Sequence, residues 1–190
     1  MVTMRSLFSA SLVANVTCSA ACAAMVLGLA ACGESSGGGA DSASGSQHEL
    51  IGKPAPSFSV STANGKGKVA LGSLKGKVVI VDFWATWCGP CKESFPKLQE
   101  IYTKYSGNGL EVVGLSEDDE NQGIAEFGQA HGSVKFPIGW DNGKSIAGQY
   151  KPPTMPTSFV IDKNGIVRFA HVGYHDNDQA EIEKELKTLL

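Results

Sequence analysis

Positive charge and metal-ligand patterns are both scarce in this sequence. The 190 residues carry 16 Lys and Arg against 19 Asp and Glu, so the formal net charge is −3 and nothing indicates nucleic-acid binding. One CxxC motif is present without a second, whereas a structural zinc site usually needs four ligands. His171 and His175 are four residues apart, but Gly173 between them indicates a strand-to-loop segment rather than one helical face. No metal and no cofactor are therefore expected.

Charged residues are also missing from Ser6 to Cys32, and this gap indicates a targeting segment. Residues 1–31 have a short basic start, a long apolar stretch and small residues at the end, which predicts a secretory signal peptide. The last residues of this stretch, with Cys32, read Leu-Ala-Ala-Cys and resemble the bacterial lipobox, in which the cysteine becomes the acylated N-terminus. An uncleaved transmembrane anchor is the alternative, because about 20 apolar residues can span a bilayer. The polar residues within the stretch favour the lipoprotein.

Residues 32–47 are expected to form the acylated Cys32 and a flexible tether rich in Gly and Ser. Membrane lipid, held through Cys32, is then one partner, and the protein is extracytoplasmic and lipid-anchored. In a Gram-negative cell, Gly33 in place of Asp would favour the outer membrane. One folded domain is predicted over residues 48–190, a length typical of a single compact unit.

The CxxC motif, Cys88-Gly89-Pro90-Cys91, follows the apolar run VVIVDFW. Such a run predicts a buried strand that ends just before the motif. If a helix begins at Cys91, both sulfurs lie within disulfide reach and the first lies at the positive end of the helix dipole. A structural disulfide is the alternative, but so small a loop contributes little stability. The context therefore favours a redox-active pair.

Alternating strand and helix patterns predict a three-layer α/β/α fold with a mixed sheet, an N-terminal hairpin and a segment inserted mid-fold. Asp178 and Glu181 have the spacing of a capping box at the start of the last helix. The four histidines follow no pattern and are therefore expected at the surface. Strands are expected at 57–62, 68–71, 77–84, 110–115, 134–138, 157–161 and 166–172, and helices at 91–105, 121–131, 145–150 and 178–190.

The motifs VDFWATWCGPCK, with Pro96 after them, and TMPTSFVID resemble the thioredoxin superfamily. The opening IGKPAPSFSV, the insert at 116–150 and the lipobox are similar to the TlpA/ResA-like thiol:disulfide oxidoreductases, and the match covers essentially all of residues 49–190. This resemblance implies a thioredoxin-like fold and a protein-disulfide reductase.

The motif supplies the reacting groups. Cys88 is expected to attack a partner's disulfide as a thiolate, and the deeper Cys91 to resolve the mixed disulfide. Pro90 removes an amide and stiffens the turn, and Gly89 leaves room for the partner chain. The Gly-Pro pair resembles that of thioredoxins, which implies a low reduction potential.

Four further residues complete the predicted site. Asp82, on the central strand, is expected to be buried and to take the proton of Cys91, as the resemblance to thioredoxins implies, although many TlpA-like members have Asn there. Hydrogen bonding to nearby backbone is its alternative role. Pro156 resembles the family's cis-proline, which would leave the Met155 backbone free to pair with substrate; a trans proline is the alternative. Trp87 is expected to flank the thiol, and Trp84 to lie in the core.

One departure from the family pattern concerns an acidic residue. TlpA-like proteins have Glu three residues after the second Cys, whereas this chain has Ser94 there and Glu93 one place earlier. The expected substrates are disulfides of exported proteins, including the haem-attachment pair of apocytochrome c, and a membrane thiol transporter is the expected electron donor. A peroxiredoxin-like peroxidase is one alternative, disfavoured because Ala85 occupies the position of the peroxiredoxin Thr. A non-enzymatic copper-binding module is the other.

Overall fold

A computed structural model describes residues 48–190 of the chain. The predicted signal peptide, the predicted lipidation site Cys32 and the predicted tether all lie outside the described residues. In the part that is described, none of the helices combines the length and the apolar character needed to cross a bilayer.

A five-stranded mixed sheet forms the centre of the domain. Its order is β5-β4-β3-β6-β7, in which β3, β4 and β5 are parallel and β6 and β7 run antiparallel to their neighbours. All seven residues of β3 are buried, which explains why every one of them except Asp82 is apolar. The strands are β1 (Ser59–Ser61), β2 (Lys68–Ala70), β3 (Val78–Trp84), β4 (Leu110–Ser116), β5 (Ile138–Trp140), β6 (Thr157–Ile161) and β7 (Val167–Val172).

Helices and the separate β1–β2 hairpin cover the two faces of this sheet, as the predicted three-layer fold requires. One core contains side chains of α1, α2 and α4 against one face, and the other core contains the hairpin and α3 against the opposite face. The helices are α1 (Cys91–Tyr105), α2 (Ile124–Ala130), α3 (Ser145–Tyr150) and α4 (Asp178–Leu189). Helix α1 continues through Pro96. Trp84 is fully buried, as predicted.

Two elements near the middle of the chain differ from the sequence predictions. Helix α2 begins at Ile124 rather than at residue 121, because Gly123 has a φ of 81° that no right-handed helix can contain. The strand predicted at 134–138 is wrong: β5 begins at Ile138, directly after Pro137. Val134 instead donates its amide to the carbonyl of Gly128, so this segment closes the end of α2.

The predicted capping box at the last helix is also wrong. Asn177 precedes the first helical residue, Asp178, and no side chain caps this end of α4. The Asp178 carboxylate instead accepts a hydrogen bond of 2.6 Å from the His175 amide, outside the helix. The acidic residue therefore holds the loop that leads from β7 into α4.

Candidate active site

The two cysteines of the CGPC motif form a disulfide at the start of α1. Their Cα atoms are 5.3 Å apart, and the amide of Cys91 donates to Cys88 Sγ over 3.2 Å. Cys88 therefore lies at the helix N-terminus, where amides and the helix dipole favour a thiolate. Both residues are buried, Cys91 completely, but only Cys88 lines a surface groove. The pair is thus open to a partner on one side only.

A buried carboxylate that the sequence analysis missed holds the loop before the motif. Asp118 accepts hydrogen bonds from the amide and the hydroxyl of Thr86, at 3.0 and 2.7 Å, and from the Ser116 hydroxyl at 2.6 Å. Trp140 donates its indole N–H to the Asp118 carbonyl. The sequence does contain a signal for this residue, which is the acidic run that follows β4. Because β3 and β4 are parallel, their carboxyl ends lie at the same edge of the sheet, and this run therefore lies near the CGPC motif that follows β3.

Asp82 lies on the face of β3 that is covered by α1, as predicted for a buried acid. Its neighbours on this face, Ile80 and Trp84, belong to the same core as Cys91. One carboxylate oxygen accepts a 2.6 Å hydrogen bond from the Ser158 hydroxyl, and the other has no partner within the described residues. Burial raises the pKa of Asp82 to about 7, although the Ser158 hydrogen bond lowers it. This carboxyl can therefore exchange a proton near neutral pH.

His171 is buried, so its predicted surface position is wrong. The sheet register places Ser158 directly opposite both Asp82 and His171, so the three side chains share one face of β3, β6 and β7. His171 Nε2 lies 2.8 Å from a carboxylate oxygen of Glu185 on α4. Its other ring nitrogen is buried and has no partner in the part of the chain that is described.

A cavity of about 30 Å³ lies beneath α1 and α4, next to this row of polar side chains. Pro156, Ser158, His171 and Ser94 are among the residues that line it. A volume of this size accommodates roughly two water molecules. The role of Ser158 could not be predicted from its local sequence, because it depends on the pairing of β6 with β3 and β7.

A groove of about 410 Å³ opens over the other side of the disulfide. Trp87 is an exposed apolar residue of this groove, with 67% of its surface accessible, and it flanks Cys88 as predicted. A Cβ atom added at Gly89 would meet no atom within 4 Å, so a partner chain has free space there. The groove is lined by Trp87, Cys88, Gly89, Pro90, Glu117, Pro152, Pro153, Thr154 and Met155. Of these, Glu117 was not predicted.

The Met155–Pro156 peptide bond is cis, as the sequence predicts. Met155 lies in the groove wall, and neither its amide nor its carbonyl has a hydrogen-bond partner among residues 48–190. Pro156 accepts a hydrogen bond from the Gly173 amide, which ties this segment to the end of β7. The Met155 backbone is therefore available to an extended chain in the groove.

The residues that depart from the family pattern have different surroundings. Ser94 is buried within the first turn of α1 and donates its hydroxyl to the carbonyl of Cys91. Glu93, by contrast, is exposed in the same turn. The buried acid near the cysteines is thus Asp82 on the sheet, and no carboxylate of α1 replaces it in the first turn.

His171, Asp178 and Glu181 have possible ligand atoms within 4.8 Å of one another. Glu185 already occupies one ring nitrogen of His171, and the His175 amide occupies one oxygen of Asp178. We therefore interpret this group as a hydrogen-bonded acidic cluster around a histidine.

Comparison with known proteins places this site in a family. Residues 51–170 match the AhpC/TSA family. The chain is 41% identical over 131 residues to the thiol-disulfide oxidoreductase ResA of Bacillus thuringiensis, covering 69% of this chain and 75% of that protein. It is 34% identical to ResA of Bacillus subtilis over 61% of this chain and 64% of that protein.

Solved structures agree with these sequence matches. A crystal structure from Chlorobium tepidum, assigned to the thiol:disulfide interchange protein DsbE, superposes with a TM-score of 0.68 at 34% identity. It covers 73% of this chain and 96% of that one. The chain therefore belongs to the AhpC/TSA family of thioredoxin-like proteins and is a thiol-disulfide oxidoreductase similar to ResA.

Proposed function

We propose that this protein is a membrane-tethered reductase that acts outside the cytoplasm on disulfides of exported proteins. The unequal surroundings of the two cysteines support this most directly, because Cys88 faces the groove and Cys91 faces the core. The signal-like residues 1–31 and the lipobox before Cys32 support the location and the lipid anchor. The paired cysteines of apocytochrome c are one substrate of this class.

The first step is the attack of the Cys88 thiolate on one sulfur of the partner's disulfide. The partner's S–S bond breaks, its second sulfur leaves as a thiolate, and a mixed disulfide joins the two chains. Trp87 and the free Met155 backbone hold the partner segment against Cys88. The hydrogen bond from the Gly173 amide to the Pro156 carbonyl holds this segment, with Met155, beside the groove.

The second step releases the reduced partner. Asp82 accepts the proton of the Cys91 thiol, and the Cys91 thiolate then attacks Cys88 Sγ in the mixed disulfide. The partner's remaining sulfur leaves as a thiolate, so two electrons have passed from the dithiol to the partner. A membrane thiol transporter then returns two electrons to the Cys88–Cys91 disulfide.

The reduction potential of the Cys88–Cys91 pair tests the direction of this chemistry. A reductase is expected to have a potential near that of thioredoxin, about −270 mV, whereas a potential near about −120 mV would identify an oxidant and overturn the proposal. Peroxide turnover and copper titration of the same protein test the two alternatives. Faster turnover of peroxide than of protein disulfides would favour a peroxidase.

The anchor requires its own experiment. Cys32→Ala should abolish the incorporation of a labelled fatty acid into the protein in growing cells, because Cys32 would be the acylated residue. Cys22→Ala, a cysteine change within the predicted signal peptide, is the matched control and should leave the labelling unaltered. A wild-type protein that takes up no label, or a Cys32→Ala protein that still takes it up, would exclude the lipid anchor at Cys32.

A further inference from the structure

The groove over Cys88 contains one side chain that the proposed chemistry does not use. Glu117 lies in its wall, and among the described residues it is the only acidic or basic side chain that lines this groove. Most of the other lining residues are apolar or are glycine and prolines. A carboxyl group in such surroundings is expensive to maintain unless a ligand or a partner atom compensates it.

The backbone around Glu117 is held in place at the end of the sheet. Its amide donates a 2.8 Å hydrogen bond to the carbonyl of Trp84, the last residue of β3. The next residue, Asp118, is locked by its hydrogen bonds to Thr86 and Ser116. Glu117 is therefore presented to the groove from a rigid strand end, and its position depends little on loop motion.

The side chain, by contrast, lacks a partner. Glu117 Oε1 is buried and makes no hydrogen bond within residues 48–190. Burial and the nearby carboxylate of Asp141 raise the pKa of Glu117, and Lys144 lowers it. A buried oxygen without a donor loses the free energy that a hydrogen bond would supply, so a donor brought by a ligand would be bound favourably.

The charged groups around Glu117 are already engaged with other partners. Lys144, the nearest cation, is 2.9 Å from a carboxylate oxygen of Asp119. Asp141 accepts hydrogen bonds from the amides of Ile146 and Ala147 at the start of α3. Among the described residues, the cation that acts on Glu117 is thus Lys144, which is paired with Asp119, and no donor reaches the buried oxygen of Glu117 in the groove wall.

We propose that Glu117 selects substrate segments that carry a lysine or arginine within one or two residues of the attacked cysteine. This inference rests on the proposed reductase function and names the chemistry of its substrates. A segment extended along Met155 advances about 3.3 Å per residue, so a long cationic side chain near the attacked cysteine can span the groove. Its ammonium or guanidinium group would supply the missing donor and would place a positive charge against the carboxylate.

The test uses the full-length protein in detergent and three disulfide peptides that differ at one position beside the cysteine, which is Lys, Gln or Glu. The quantity measured is kcat/KM for reduction of each peptide. The wild-type protein should reduce the Lys peptide about tenfold faster than the Glu peptide, with the Gln peptide between them. This ratio should fall at high salt and also as the pH drops and Glu117 becomes protonated.

Glu117→Gln should bring the Lys-to-Glu ratio close to one, and Glu117→Lys should invert it. Glu120→Gln is the matched control, because it removes one negative charge of the same acidic run from an exposed side chain that neither lines the groove nor pairs with Lys144. This variant should keep the wild-type preference.

The outcomes separate the selection from the chemistry. Equal kcat/KM for the three peptides with the wild-type protein would overturn the selection while the reductase stands. Failure to reduce any of the three would instead count against the proposed function. A Glu117→Gln protein that keeps the preference for Lys, or slows all three peptides equally, would show that Glu117 is structural and would also overturn the inference.

Discussion

The two sides of the Cys88–Cys91 disulfide differ more than their separation of one helical turn suggests. On the groove side, Cys88 is surrounded by exposed Trp87, by the unpaired Met155 backbone and by space beside Gly89. On the core side, Cys91 shares its core with the strand that carries Asp82. The groove side has the features that bind another chain, and the core side has those that store a proton.

This contrast explains how one short motif can direct two successive reactions. Cys88 lines the groove and Cys91 does not, so the proposed mechanism gives the first attack on a partner's disulfide to Cys88. The resolving thiol must lose its proton away from water, and the carboxyl on the covered face of β3 is suited to accept it. Substitutions can remove or weaken the groove side and the core side one at a time, and those at the cysteines should have the largest effect.

Replacing each cysteine in turn with serine should have the largest effect and should separate the role of the groove side from that of the core side. Cys88→Ser should abolish disulfide reduction, whereas Cys91→Ser should still attack but remain joined to its partner, because no second thiol can release it. Both variants should lose at least ~10³-fold in turnover. Non-reducing gels and mass spectrometry of the reaction with a peptide disulfide measure the trapped species.

The discriminating result is which of the two variants forms the covalent complex with the peptide. A covalent complex with Cys91→Ser and none with Cys88→Ser is expected. If Cys88→Ser formed the complex instead, Cys91 would be the nucleophile, and the assignment of the groove and core sides would have to be exchanged.

The buried Asp82 should make the stability of the oxidised protein fall with increasing pH. The pKa of Asp82 is about 7 in the folded protein and 3.8 in an ordinary environment. Between these values the unfolded chain loses the proton while the folded protein keeps it, so the free energy of unfolding decreases from pH 4 to pH 7. The full loss is roughly 4 kcal/mol.

Urea unfolding at several pH values between 4 and 8 measures this dependence. Asp82→Asn removes the titrating group and should flatten the curve in this window. Asp119→Asn is a matched control, because it removes an exposed carboxyl and should leave the slope in place. A wild-type stability that rises from pH 4 to 7 would contradict the buried, protonated state of Asp82.

Much of the cysteine neighbourhood could be predicted from the sequence because it is local. The apolar run of β3, the CGPC motif and the start of α1 are contiguous, and their order alone places Cys88 at a helix N-terminus. The cis bond before Pro156 was predicted from a contiguous motif as well. Features of this kind depend on neighbours in the chain, so pattern and resemblance suffice.

The missed residues depend instead on pairing between distant segments. Ser158 acquires its role only because β6 places it opposite both Asp82 and His171. His171 has no informative local pattern, and it is buried because α4 brings Glu185 onto it. Glu117 and Asp118 reach the site because β3 and β4 are parallel and end at the same edge. Strand order and register decide these contacts, and neither can be read from local sequence.

Removal of the Asp82 carboxylate should slow the second step of the reaction and spare the first. With Asp82→Asn, release of the mixed disulfide near pH 7 should be roughly 10²-fold slower, because no base takes the proton of Cys91. In the wild-type protein this release should accelerate as the pH rises through about 7, where Asp82 becomes ionised. Stopped-flow measurement of single-turnover release checks both statements.

Ser158→Ala tests the same role of Asp82 more specifically, because it leaves the carboxyl in place and changes only its pKa. Loss of the 2.6 Å hydrogen bond to Asp82 should raise the pKa of this carboxyl further, so the pH profile of release should move to higher pH without losing its maximum rate. If the profile of Asp82→Asn were the same as that of the wild-type protein, Asp82 would not be the base, and the core side would have only a structural role.

The smallest effect is expected on the groove side, at Trp87. Two thirds of this side chain is exposed in the free protein, so its truncation should cost little stability but remove apolar area from the partner's binding surface. Trp87→Ala should raise KM for peptide disulfides about fivefold, and kcat should change far less because the sulfur atoms keep their positions. Among residues 48–190, the other large exposed apolar residue is Ile51, which lies outside the groove, and Ile51→Ala should leave KM as it is. A Trp87→Ala protein with lower kcat and the same KM would mean that the indole shields the thiolate rather than binding the partner. Trp87 would then belong to the reacting groups, and the groove side would no longer be only a surface that binds the partner.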